Sequence, residues 1–239
     1  GNAGNYSSLA LNDADQPHIS YYDAANGKLK YAAWNGSSWE IETVDTGGFI
    51  YGKYNSLALD DAGCPHIAYQ EYTDTFEYQL KYAVDYGSGW ESETADPGGG
   101  VASPGYWTSL ALNDSGYPRI SYCDDFFGLG YAAWNGSSWD VGIVDSTGVT
   151  GNYTSLVLDS GDNPHISYYN FTDKDLKYTY WNGSSWVGET LDSDGGVGEY
   201  TSLALDSSDK PYISYYDTGN GDLKFAWYNT SPPAFSLLS

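Results

Sequence analysis

Chemistry needs particular side chains at particular spacings, so the candidate groups come first. All three histidines, His18, His66 and His165, follow a proline at one recurring position, and Arg119 and Tyr212 fill that position elsewhere. Spread one per repeat, they do not converge as metal ligands must. The expectation is a rim side chain bonding its own turn. The acidic turns (Asp13 and Asp15, Asp60 and Asp61, Asp159 and Asp162) lack the full ligand set of a calcium loop. Solvated turn carboxylates are expected, and no metal or cofactor is called for. Lys30, Lys81, Lys177 and Lys224 recur at one strand position, each expected to pair with a neighbouring carboxylate.

Nucleophile, metal-hydrolase and phosphate-loop motifs (GxSxG, HExxH, P-loop) do not occur. The residues expected to face a central channel are Ser, Ala and Leu, repeated almost unchanged. A near-symmetric set of equivalent positions suits multivalent binding better than one asymmetric pair of carboxylates. No catalytic residue is expected.

The elements that would position these groups come from an internal repeat. SLALND with PHISYYD returns as SLALDD with PHIAYQE, SLALND with PRISYCD, SLVLDS with PHISYYN and SLALDS with PYISYYD. The first leucines, Leu9, Leu57, Leu110, Leu156 and Leu203, lie 48, 53, 46 and 47 residues apart. A third string (LKYAAW and its copies) follows each pair. A fourth opens at Trp39, Trp90, Trp139 and Trp186 and closes at Asp45, Asp96, Asp145 and Asp192. Each string has strand length, period-two alternation and turn residues at its ends. Four short strands per unit predict a propeller blade, and five units a ring. The fold class is therefore all-β, a five-bladed β-propeller with four antiparallel strands per blade, as one domain over 1–239. Its blades are expected at about 6–45, 54–96, 107–145, 153–192 and 200–239. Tyr21, Tyr31, Trp34, Trp39 and their equivalents are expected to fill the core between blades.

With WNGSSW between strands three and four, the blades resemble those of five-bladed β-propellers, including propeller lectins. The turn is placed like the Asp box of sialidase-type propellers, S-x-D-x-G-x-x-W. Gly36 and Trp39 match that box, but Ala32 and Trp34 stand where it has Ser and Asp. No sialidase activity is carried over.

The repeat breaks in one place. From Pro65 to Leu80 is 15 residues against 11 or 12 elsewhere, and from Leu80 to Leu110 is 30 against 27 or 28. Both insertions are expected on one rim at the junction of blades two and three. They bring Tyr72, Phe76, Tyr78, Tyr106 and Trp107 there as a candidate ligand-binding set, since long loops on a rigid scaffold commonly carry binding. Glycosylation acceptors of the N-x-S/T type sit in the turns at Asn35, Asn135 and Asn182, with further matches at Asn5, Asn113, Asn152, Asn170 and Asn229.

Nine Lys and Arg against 32 Asp and Glu give a formal charge of −23 across 239 residues. That balance excludes nucleic-acid phosphates and anionic bilayers as partners, since both need a basic patch. No apolar run approaches the roughly 18 residues of a membrane span. With no Met and no N-terminal signal pattern, the chain reads as a processed or excised extracellular protein, secreted or on the cell surface. The partner to expect is a glycan or another protein subunit, with a homo-oligomer as one form of the latter. Cys64 and Cys123 would differ in height by roughly 20 Å, beyond the ~7 Å a disulfide allows.

Leu29 to Asp45 is 16 residues, and 16 beyond Leu223 is Ser239, so the tail has the length of a fourth strand. On that count Pro233 takes the Trp39 position, Phe235 that of Ile41, Leu237 that of Thr43 and Leu238 that of Val44. The segment carries no charge, whereas edge strands are normally blunted by charges. Phe235, Leu237 and Leu238 are thus a candidate assembly edge, completing blade five or donated to a neighbouring subunit.

Overall fold

The computed structural model describes residues 3–45, 50–228 and 235–238; the side chains of residues 50 and 51 are not among them. The described residues form twenty strands in five four-stranded antiparallel sheets, the arrangement of a five-bladed β-propeller. Blade one holds β1 (Ala3–Leu11), β2 (Pro17–Asp23), β3 (Lys28–Trp34) and β4 (Trp39–Thr43). Blade two holds β5 (Ile50–Leu59), β6 (Pro65–Tyr72), β7 (Tyr78–Val84) and β8 (Glu91–Asp96). Blade three holds β9 (Tyr106–Leu112), β10 (Pro118–Asp124), β11 (Gly128–Trp134) and β12 (Trp139–Asp145). Blade four holds β13 (Thr150–Leu158), β14 (Pro164–Asn170), β15 (Asp175–Trp181) and β16 (Trp186–Asp192). Blade five holds β17 (Val197–Leu205), β18 (Pro211–Asp217), β19 (Asp222–Tyr228) and β20 (Phe235–Leu238). Within each blade the strands pair in chain order, as successive hairpins must. The chain divides into two compact units, Gly1–Ile120 with Ala132–Val141 and Ser121–Tyr131 with Gly142–Ser239.

In the first unit the core between blades one and two is Leu29, Tyr31 and Val44 from one side and Leu57, Ile67, Tyr69 and Ala83 from the other. In the second unit Leu176 and Tyr178 of blade four meet Leu203, Ile213, Tyr215 and Ala226 of blade five. The expected aromatic filling is present in part. Trp39 is exposed and Tyr21 and Trp34 are half-buried, but Tyr31 is core. The indole at the start of a later fourth strand meets the strand-three tyrosine of the blade before. Trp90 lies edge-on to Tyr31 at 5.1 Å, Trp139 to Tyr82 at 5.4 Å and Trp186 to Tyr131 at 5.1 Å.

A polar latch accompanies this core. The closing aspartate of one blade accepts the strand-two tyrosine hydroxyl of the next: Tyr69 to Asp45, Tyr168 to Asp145 and Tyr215 to Asp192, each at 2.7 Å. Lys177 joins Asp145, and Lys224 joins Asp192 at 2.6 Å. Lys81 pairs instead with Glu71 of its own blade at 3.5 Å. Lys30 departs from the expected carboxylate pairing, its ammonium meeting Thr43 Oγ1 at 2.6 Å. Burial would raise the Asp145 carboxyl, but hydrogen bonds from Lys177, Thr147 and Tyr168 outweigh it and hold it at about 2.

Two expectations are corrected. First strands start earlier than the repeat suggested: β1 already pairs at Ala3 with Asp23, through shifts in register on either side of Asn5. Residues ahead of the expected blade bounds are strand, because a bulge lets pairing continue beyond the hydrophobic run. The last strand has a different register. Phe235 pairs with Tyr228 as Trp39 pairs with Trp34, and Leu238 pairs with Phe225 as Glu42 pairs with Tyr31. Phe235 therefore fills the Trp position, its ring 5.5 Å from Tyr178. Six residues separate Tyr228 from Phe235 where four separate Trp34 from Trp39, so counting from Leu223 misplaced the strand by two. Pro233 and Asn229 lie outside the described residues.

Candidate functional site

The five aromatic residues of the two insertions all fall in the first unit and come together. Tyr72 and Tyr78 face each other across the β6–β7 hairpin, ring centroids 4.7 Å apart. Thr73 closes the loop by donating its N–H to Glu77 O and accepting from Phe76 N–H. Phe76 sits at the tip with φ 64° and is 73% exposed, its ring 6.2 Å from Tyr72. The second insertion is tied down by Gln70 Nε2, which donates to Pro104 O at 3.2 Å. This seats Tyr106 at 5.5 Å from Tyr78, with Trp107 5.7 Å further on.

The aromatic run continues through residues that the insertions did not reveal. Tyr54 lies 5.1 Å from both Tyr106 and Trp107, and Tyr6 lies 4.5 Å from Tyr54. Tyr6, Tyr54, Trp107, Tyr153 and Tyr200 share one repeat position, and all have φ between 48 and 54°. A bulky residue in the left-handed region is an outlier costing about 1–3 kcal/mol. It is imposed by the bulge in the first strand, where a glycine two residues earlier also has positive φ. At Gly52 and Gly198 an added Cβ would lie 2.6 Å from Leu29 Cβ and 2.8 Å from Leu176 Cα, so the strand crosses directly over the preceding blade. The second unit has the same pairing, with Tyr153 and Tyr200 4.5 Å apart. The signal was present in the sequence as G-x-Y or G-x-W, three residues before each repeat leucine.

Clefts also open between successive blades. One of about 290 Å³ in the first unit is lined by Tyr82, Tyr86, Glu91, Glu93, Tyr117 and Trp134 among others. One of about 610 Å³ in the second unit is lined by Tyr178, Glu189 and Phe235 with His165, Asp209 and Lys210. Glu93 accepts Trp139 Nε1–H at 3.0 Å, and burial pushes the Glu189 carboxyl up.

The histidines are buried, not on a rim. Nδ1 of His66 and of His165 lies 2.5 Å from the hydroxyl of Tyr82 and of Tyr178, and His18 is placed likewise against Tyr31. Their Nε2 atoms reach back to the turn: 3.3 Å to Asn12 Nδ2 from His18, and 3.5 Å to Asp60 and Asp159 from the other two. Burial lowers all three, with the aspartates opposing it at His66 and His165. The turn residues Asn12, Asp60 and Asp159 each accept two backbone N–H groups of their own loop.

Asn35, Asn135 and Asn182 are folded back into their turns, each Oδ1 accepting the N–H of the second and third residues after it. Cys64 and Cys123 are free thiols, and Cys123 is buried, which pushes its thiol up. Leu237 and Leu238 are exposed on β20, the outer strand of blade five, and Phe235 is half-buried.

No protein-family model and no curated protein sequence matches the chain. Solved structures do match in fold. A Dyadobacter fermentans protein described as of unknown function superposes with TM-score 0.69 at 8% identity, over 99% of this chain and 82% of that one. Aleuria aurantia lectin, solved with Fucα1-6GlcNAc, gives 0.62 at 18%, over 100% and 79%. A thermostable family-43 glycoside hydrolase gives 0.57 at 9%, over 100% and 93%. At these identities the likeness is one of fold, and it spans binders and hydrolases alike.

Proposed function

We propose that the chain is an extracellular, non-catalytic glycan-binding module, and that the aromatic run from Phe76 to Tyr6 is its sugar-facing surface. The observation that carries this reading is the continuity of the run: Phe76, Tyr72, Tyr78, Tyr106, Trp107, Tyr54 and Tyr6 follow one another at 4.5–6.2 Å. Ring faces offer large contact area at low conformational cost and pack against the C–H face of a pyranose, while tyrosine hydroxyls bond its edge. Asp74 and Glu77 are exposed in the hairpin loop itself, and Glu71, next to Tyr72, is buried and tied to Lys81. That leaves Glu71 poorly placed for the acid or nucleophile role of a glycosidase. The likeness of fold to a lectin solved with a fucosylated disaccharide supports the substrate class.

The test is a glycan array followed by titration calorimetry on the wild-type chain and on Phe76→Ser/Tyr78→Ser/Trp107→Ser. Binding that weakens about tenfold or more, with the fold retained, is the expected result. Unchanged binding would move the site to the interblade clefts. A chain that binds no glycan and sediments as concentration-dependent assemblies would favour a self-associating surface subunit, joined at the uncharged edge of Phe235, Leu237 and Leu238.

A further inference from the structure

Blade one presents, uncovered, the face that the following blades bury. Leu9 is 63% exposed and Leu11 57%, whereas Leu57, Leu110, Leu156 and Leu203 are buried. Ile19 and Tyr21 are half-buried where Ile67, Ile120, Ile166, Ile213 and the matching tyrosines are closed to solvent. The polar fittings are equally incomplete. Leu57, Leu110 and Leu203 each donate their N–H to a serine of the preceding blade at 3.0 Å. Thr154 and Thr201 bond the strand-two serine of the preceding blade at 2.9 and 2.7 Å. Leu9 and Ser7, at the same positions, have no such partner among the described residues. Tyr21 likewise lacks the aspartate that Tyr69, Tyr168 and Tyr215 have. Gly4 keeps the bulge conformation at φ 102°, yet an added Cβ there would meet nothing within 4 Å.

We infer that this face of blade one is the docking half-interface for one further repeat unit, a four-stranded blade whose fourth strand closes on an aspartate. The occupant is defined by what the interface contains wherever it is complete. It needs an apolar Leu, Tyr and Val for Leu9, Ile19 and Tyr21, as Leu29, Tyr31 and Val44 serve blade two. It needs a strand-one serine for Leu9 N–H, and a carboxylate for the Tyr21 hydroxyl and Lys30. A second copy of the chain fits less well. The uncovered partner face it would offer is that of blade five, marked by Leu223 at 77% exposure. The last strand of that blade, FSLL, carries no carboxylate.

The test places a copy of residues 153–199 ahead of Tyr6, so that it joins blade one as blade four joins blade five. Alkylation of Leu9→Cys and of Leu57→Cys is read by peptide mass spectrometry, with sedimentation alongside. In the unextended chain Leu9→Cys should react about tenfold or more faster than Leu57→Cys. In the extended chain the two rates should converge and the melting temperature should rise. Asp192→Asn in the added copy should remove part of that rise. Protection of Leu9→Cys in an unextended monomer would overturn the inference, because the face would already be closed. Protection that comes with dimerisation would assign the face to a second copy instead. An added blade digested while blades one to five survive, or one that folds without slowing alkylation, would also overturn it.

Discussion

Strands β1 and β17 read SLAL at their ends, but they occupy opposite environments. In β17, Leu203 is packed against blade four beneath Leu176 and Tyr178. In β1, Leu9 and Leu11 face solvent. The backbone is the same in both, including the left-handed aromatic and the paired serines, Ser8 with Ser20 and Ser202 with Ser214. The blade is thus specified by its own hairpins, and the core by the contact between one blade and the next. In this respect the molecule behaves as repeat proteins do, with stability residing largely in nearest-neighbour interfaces.

Paired substitutions would break that comparison or sharpen it. The largest difference is expected between Leu203→Ala and Leu9→Ala under urea unfolding. Removing the buried leucine should cost about 2–5 kcal/mol, and removing the exposed one should stay within about 0.5 kcal/mol. Equal costs would mean that β1 is covered in solution. A smaller contrast separates Tyr215→Phe from Tyr21→Phe. The first loses a 2.7 Å hydrogen bond to the ionised Asp192, a loss of about 1.5–3 kcal/mol, and the second should be nearly neutral. The smallest effect is one of pH. Asp145 is held at about 2 in the folded protein, below its unfolded value near 4. The stability it contributes is therefore complete above that unfolded value and is lost as pH falls towards 2. We expect about 1–2 kcal/mol of stability to disappear over that window, and Asp145→Asn to flatten the profile. Lys30 is only the smallest of the causes that lower its carboxylate, Asp23, after hydrogen bonds from Asn26 and Ala25. Lys30→Gln should therefore change the profile less than Asp145→Asn does.

The five insertion aromatics were legible because a break in a repeat is visible by counting, and the structure brings all five into contact. Tyr54 and Tyr6 extend the run but needed the structure. Their spacing is regular, yet nothing in sequence spacing says that a bulge turns those rings towards their neighbours. The histidines show the opposite failing. Position beside a turn placed them on the rim bonding that turn, and their Nε2 atoms do reach it. They are nevertheless buried, because the strand-three tyrosine that covers each of them comes from 13 to 16 residues away.

By itself the sequence determined the five repeats, the four strands in each and their alternation, because hairpin pairing and period-two patterning are local. It also marked the two insertions that carry the aromatic set, because a change in repeat length is read by counting. Only the tertiary structure decided which leucines are core, since burial depends on whether a neighbouring blade is there to cover them. It also decided the register of β20. A strand is placed by the residue across the ladder and by the ring it packs on, here Tyr228 and Tyr178, and a longer loop can shift that match without any mark in the strand itself.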